Sequence, residues 1–177
     1  FNYINHSEDY GISVESPKVN IDDMVKRSRD VASGMNKGIN FLFKKNKVDH
    51  LKGFGKIISK GKVEVLDENG VATQYTTENI ILATGGKAKE LPSLPIDGVN
   101  IWGYRDAMVP AKQPKSIVIV GSGAIGIEFA YFYNSIGTEV TVVEYLPNIV
   151  PNEDEEISKA LEKSFKKQGV KILTNSA

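Results

Sequence analysis

The run Gly121-Ser122-Gly123-Ala124-Ile125-Gly126-Ile127-Glu128 limits what this chain can fold into more than any other stretch. The apolar, β-branched residues Ile117-Val118-Ile119-Val120 stand before it. Such a short run reads as a strand buried on both faces, as in a parallel sheet. After it, Ile125, Phe129, Phe132, Tyr133 and Ile136 repeat at helical spacing, and Gly137 can end that helix at the C′ position. A second β-run, Glu139 to Val143, follows and is closed by Glu144. A helix opening at Pro151 and Glu153-Asp154-Glu155-Glu156 comes next, with Ile157, Leu161 and Phe165 as its apolar face. Gly169 ends it, and Val170 to Leu173 begin a third strand. This β-α-β-α-β order implies a parallel sheet with right-handed crossovers.

The glycines have separate duties in such a turn. A side chain at Gly121 would obstruct the tight turn, one at Gly123 would hold the backbone away from a phosphate, and one at Gly126 would push the helix off the strand. Free amides and the dipole at a helix N-terminus suit a pyrophosphate. Glu144 falls close to the spacing of about 20 residues at which an acidic side chain meets a ribose 2′-hydroxyl. Strand, glycine turn, helix, strand and acidic end together are the fingerprint of dinucleotide binding. Glu144 would repel a 2′-phosphate, and Tyr145, Leu146 and Pro147 bring no cation to neutralise one, so NAD is favoured over NADP. The plainer alternative for Glu144 is a solvated strand end. Glu128, in the first helical turn, suits the dipole there, and contact with a nicotinamide amide is its sharper alternative.

Upstream, residues 1 to 19 read as an irregular lead-in with one short strand at Tyr10 to Val14. Asn20 can cap a helix whose apolar positions are Met24, Val25, Ser28, Val31, Met35, Ile39 and Leu42, reaching about Asn46 despite Gly34 and Gly38. Val48 to Ile58, Lys62 to Leu66 and Val71 to Tyr75 read as strands, with a hairpin turn at Asp67-Glu68-Asn69-Gly70. Asn79 to Ala83 reads as a buried strand ending at Thr84-Gly85-Gly86. Residues 87 to 114 show little periodicity and form an ordered connector or domain crossover, with Pro110 to Pro114 as the boundary. Trp102 and Tyr104 within it are packing residues.

Composition excludes several classes. The 177 residues carry 22 basic and 22 acidic side chains, so the basic footprint of a nucleic-acid binder is missing. Lys44-Lys45 and Lys166-Lys167 end helical patterns, where cations complement the dipole. There is no cysteine, hence no disulfide or thiol nucleophile. No apolar stretch approaches the roughly 20 residues of a membrane span. The acidic cluster at Glu153 to Glu156 suits a helix N-terminus better than a metal, since no His or Cys stands nearby. His6 and His50 have no partner motif. The first residue is Phe1, so the chain is either processed or part of a longer one.

Several pieces acquire meaning jointly. Gly53-Phe54-Gly55-Lys56-Ile57, Ile80-Ile81-Leu82-Ala83-Thr84-Gly85, Leu91-Pro92, Gly121 to Glu128 and Val143-Glu144 occur in the order and spacing of flavoprotein disulfide reductases. With Tyr104-Arg105-Asp106-Ala107-Met108, the chain most resembles the bacterial dihydrolipoyl dehydrogenase family, over essentially its whole length. That family oxidises protein-bound dihydrolipoamide and passes electrons through FAD to NAD. By position, Gly55, Thr84, Gly85 and Gly86 resemble FAD contacts. Gly121, Ser122, Gly123, Ala124, Ile125, Gly126 and Glu144 resemble the NAD site, and Glu128 matches the family's glutamate near the nicotinamide. The resemblance implies a cytoplasmic homodimer whose partner is the lipoyl domain of a 2-oxo acid dehydrogenase complex. It also implies an internal fragment. The first FAD fingerprint and the redox cysteines would precede Phe1, and the proton-moving histidine-glutamate pair and the dimerisation domain would follow Ala177. No catalytic residue and no metal ligand is therefore assigned. The expected fold is α/β, with residues 1–113 the trailing part of an FAD domain, a helix with an antiparallel β-meander. Residues 114–177 are then a Rossmann-like β-α-β-α-β half domain.

Overall fold

The computed structural model describes residues 2–176. The chain packs as two compact units, one running to Lys26 and resuming at Glu90, the other spanning Arg27–Lys89.

The first unit holds the core. It contains a one-turn helix α1 (Asn2–Asn5), a single 3₁₀ turn at Ser7–Tyr10, and the beginning of the long helix α2 (Ile21–Lys45). The expected strand at Tyr10 to Val14 is not formed; Gly11, at φ 70°, ends the 3₁₀ turn, and an irregular segment follows. Asn20 does cap α2, its Oδ1 accepting from the amides of Asp22 at 3.1 Å and Asp23 at 3.3 Å. From Glu90 the connector is ordered, and it carries a short helix that its sequence did not announce, α3 (Tyr104–Ala107). Gln113 anchors the connector by donating from Nε2 to the Ile136 carbonyl at 2.8 Å, and Thr138 Oγ1 donates to the Pro114 carbonyl at 2.9 Å.

The remainder is the expected alternation: β4 (Ser116–Val120), α4 (Ala124–Ser135), β5 (Glu139–Val143), α5 (Glu155–Lys167) and β6 (Lys171–Leu173). The strands are parallel, in the order β4-β5-β6. Both helices end in Schellman turns. Gly137 and Gly169 sit at φ 93° and 89°, and the amides of Thr138 and Val170 bond back to the carbonyls of Tyr133 and Phe165. Asp154 caps α5, accepting from Glu156 and Ile157. Lys159 pairs with Glu155 and Lys166 with Glu162 along its exposed side.

The core comprises Ala107 of α3, Ile127, Ala130, Tyr133 and Ile136 of α4 and its cap, Val140, Val142 and Ile172 of the sheet, and Ile149, Phe165 and Val170. Tyr133 is wholly buried, and its hydroxyl donates to the Ala107 carbonyl at 2.7 Å, tying α3 to α4. Burial pushes the Tyr133 hydroxyl up to about 12. Two expected core residues lie outside: Ile125 and Ile157 are exposed. The face of α4 that meets the sheet is the one carrying Gly126 and Ala130, because only small side chains let a helix axis come that close. β4 also departs from expectation. Val118 and Val120 are exposed, so only the Ile117–Ile119 side of this edge strand is covered.

The second unit contains the rest of α2 and an antiparallel meander: β1 (Phe54–Ser59), β2 (Lys62–Leu66) and β3 (Ala72–Thr76), in the order β1-β2-β3. The turn between β2 and β3 forms as expected. Gly70 sits at φ 79°, and Asp67 Oδ1 accepts from the amides of Asn69 and Val71. Gly53 ends the irregular stretch before β1, and a Cβ there would run into the Leu66 carbonyl. The expected strand at Asn79 to Ala83 does not form, and Ile81 is 91% exposed. A strand exists only by pairing, and among the described residues none lies alongside it.

No residue between Arg27 and Lys89 is buried. The apolar positions Val31, Met35, Ile39 and Leu42 of α2 are all exposed. Burial must offset the entropy of ordering, and here it cannot. Amides of β1–β3 and of this part of α2 should therefore exchange with deuterium faster than those of β5 by on the order of 100-fold or more. Peptide-resolved exchange by mass spectrometry measures this; equal protection in the two units would contradict it.

Candidate functional site

The site grows from the carboxyl end of β4. The chain leaves the strand at Gly121, whose φ of 93° is a conformation that glycine adopts without strain. The Gly121 amide donates to the Val143 carbonyl at 2.8 Å, so the turn begins as an extension of the sheet. Gly123 is the N-cap of α4, in extended backbone, and makes no side-chain cap. At Gly126 the helix lies against the turn. A Cβ there would run into the Gly121 carbonyl oxygen, with Ile119 Cγ2 at 3.3 Å. At Gly121 and Gly123 an added Cβ meets nothing within 4 Å. The three glycines thus divide their duties: backbone conformation at Gly121, open space at Gly123, helix–strand contact at Gly126.

Glu144 is not a solvated strand end. It is 7% exposed, and its carboxylate is turned onto the glycine turn. Oε2 accepts from the Ser122 amide at 2.8 Å and from Ser122 Oγ at 2.6 Å, while Oε1 accepts from the Leu146 amide at 2.9 Å. Burial pushes this carboxyl up. The Leu146 amide, the hydroxyl and amide of Ser122 and the Tyr145 amide outweigh it, holding the group below the ordinary carboxylate range. The result is a charged carboxylate, fixed at the end of β5 beside the N-terminus of α4. Three of about four acceptor positions are engaged, and Oε1 is the less occupied oxygen.

The other candidates are placed more loosely. Ala124 and Ile125 form the exposed first turn of α4, and Glu128 projects to solvent from the same helix. Gly55 lies on β1 opposite Val65. Thr84, Gly85 at φ 73° and Gly86 lie in an exposed segment without regular structure. These four belong to the Arg27–Lys89 unit, whereas Gly121 to Gly126 and Glu144 are brought together in the other. The sequence placed Ser122 in the NAD site but did not disclose its bonds to Glu144, nor the part of Val150, whose amide donates to the Ser122 carbonyl at 3.0 Å. Val150 holds φ 40°, strained for a β-branched residue, and no spacing rule signals that.

Residues 4–177 match the family described as pyridine nucleotide-disulphide oxidoreductase. The dihydrolipoyl dehydrogenase of Zymomonas mobilis is 40% identical over 177 residues, covering all of this chain and 38% of that protein. That of Rhizobium etli is 42% identical, covering 98% of this chain and 39% of that protein. The chain therefore spans well under half the length of these relatives. Among solved structures, LpdA from Mycobacterium tuberculosis superposes with a TM-score of 0.88 at 24% identity, covering 98% of this chain and 38% of that one. The HOCl-induced flavoprotein disulfide reductase RclA from Escherichia coli gives 0.75 at 23% identity, covering 90% and 36%. These two likenesses bear on the fold.

Proposed function

The chain belongs to the pyridine nucleotide-disulphide oxidoreductase family, and we propose that residues 114–177 are the first half of the NAD-binding domain of an FAD-containing dihydrolipoyl dehydrogenase. In this reading the whole enzyme is a cytoplasmic homodimer that oxidises dihydrolipoamide on the lipoyl domain of a 2-oxo acid dehydrogenase complex. When bound, FAD and NAD supply the electron and hydride transfer. The residues of this chain bind, orient and discriminate.

The observation that carries the proposal is the buried, charged Glu144 carboxylate held against a glycine turn that approaches α4 too closely for any side chain at Gly126. Such a pair fits a dinucleotide. The open side of Gly123 admits the pyrophosphate, whose charge the α4 N-terminus favours. Glu144 accepts from the adenosine ribose hydroxyls and repels a 2′-phosphate. Glu128 stands on the exposed side of α4 toward a nicotinamide amide. Toward FAD the fit is incomplete: Gly55, Thr84, Gly85 and Gly86 offer accessible backbone, but no buried polar group gathers around them among the described residues. With no cysteine, this chain has no thiol for a redox disulfide, so nucleotide binding is the activity to measure in it.

Calorimetric titration of the chain with NADH and NADPH provides the test. NADH is expected to bind tighter by about tenfold or more, and Glu144→Ala to weaken NADH and erase that preference. Equal affinity for the two nucleotides in the unsubstituted chain would refute the assignment of Glu144.

A further inference from the structure

Ser122 occupies a position in the glycine run that the turn itself leaves free to vary, yet it is wholly buried and each of its polar groups is committed. Its amide and its hydroxyl both donate to Oε2 of Glu144, at 2.8 and 2.6 Å. Its carbonyl accepts from Val150 at 3.0 Å. Val150 in turn is stitched at both ends of its peptide. Its carbonyl accepts from the Glu153 amide at 2.9 Å and from Ser158 Oγ at 3.4 Å. A strained backbone at a β-branched residue persists only where the surroundings over-determine it, and such positions gather at functional sites. Two elements that meet at the site, the glycine turn and the loop after β5, therefore interlock through one serine. None of its donors remains for a nucleotide.

We propose that Ser122 is a positioning residue that acts through Glu144, its amide and hydroxyl gripping one carboxylate oxygen so that the other faces the adenosine ribose hydroxyls of the dinucleotide. The inference rests on the NAD reading above. It differs from it in assigning Ser122 no contact with the nucleotide. Without the hydroxyl, Oε2 keeps only the amide, and the carboxylate gains freedom to rotate away from the turn. The Leu146 amide, which donates to Oε1, should loosen with it.

A double-mutant cycle on the full chain, read by NADH titration, separates the roles. Ser122→Ala is expected to weaken NADH by about tenfold and to lower the NADH-over-NADPH preference, and to cost nothing further in a Glu144→Ala background. Ser122→Thr, which keeps the hydroxyl, should retain most of that preference. An undiminished effect of Ser122→Ala in the Glu144→Ala background would overturn the proposal, since Ser122 would then touch the nucleotide itself. A ligand-free measurement runs beside it: hydrogen exchange at the Leu146 amide. Faster exchange in folded Ser122→Ala supports the grip, and unchanged protection overturns it. Should the unsubstituted chain bind neither nucleotide, the NAD reading fails, while the Leu146 exchange still decides whether Ser122 holds Glu144.

Discussion

Gly126→Ala is expected to destabilise the β4-β5-β6 unit, although helix propensity alone predicts the opposite. Gly126 lies inside α4, and alanine in a helix interior is worth about 1 kcal/mol over glycine. The new Cβ, however, would sit inside contact distance of the Gly121 carbonyl oxygen, and would also meet Gly121 C and Ile119 Cγ2 at 3.3 Å each. These first two are backbone atoms at the start of the turn, so no side chain can swing aside. Either the turn opens or α4 lifts away from β4. Overpacking a well-filled contact costs about 1–3 kcal/mol, occasionally more, and a backbone obstacle belongs at the upper end. The net loss is then about 2 kcal/mol, or a fall in melting temperature of roughly 8–16 °C for a domain near 100 residues. Gly34→Ala is the control. That glycine lies in α2 with nothing within 4 Å of an added Cβ, so there propensity should win and the effect be neutral or stabilising. Thermal melts followed by circular dichroism compare the two. A Gly126→Ala chain that melts at or above the unsubstituted temperature would show that α4 does not rest on the turn.

The same contact explains what the sequence could and could not tell. The glycine run and Glu144 were legible because a turn of fixed geometry needs glycine at set positions, and an acidic strand end follows at a set distance. The start of α2, the β2–β3 turn and the ends of α4 and α5 were legible for similar local reasons: Asn20 acts through its side-chain oxygen on the next amides, and Gly70, Gly137 and Gly169 through their own backbone. The buried face of α4 was legible in most positions: Tyr133 and Ile136 are buried and Phe129 and Phe132 pack against the core, while Ile125 is exposed because the sheet takes the face where Gly126 and Ala130 permit close approach. Ile80-Ile81-Leu82 has the composition of a strand, but pairing is a long-range property, and no described strand lies beside it. The grip of Ser122 on Glu144 escaped because spacing brings residues near one another without fixing where their side chains point.

Gly123→Val should leave the fold standing and remove nucleotide binding, the mirror image of the effect at Gly126. Gly123 caps α4 in extended backbone, at φ −64° and ψ 175°, which valine adopts without strain. Nothing lies within 4 Å of the added Cβ. The fold loses only the modest preference of an N-cap for glycine over valine, on the order of 0.5–1 kcal/mol. The space that appears empty to the protein is the space a pyrophosphate needs, because free amides of the first turn of α4 can be reached only where no side chain covers them. A branched side chain there replaces close amide–phosphate contact with a steric barrier, and charge-assisted hydrogen bonds of about 1.5–3 kcal/mol each are lost. Two such bonds correspond to a loss of NADH affinity on the order of 100-fold or more. The decisive comparison is between titration and melting on the same sample. Loss of binding with a melting temperature within a few degrees of the unsubstituted chain is the expected result. Unimpaired NADH binding would mean that the turn serves the fold alone, and that Glu144 is buried for stability rather than for a ribose.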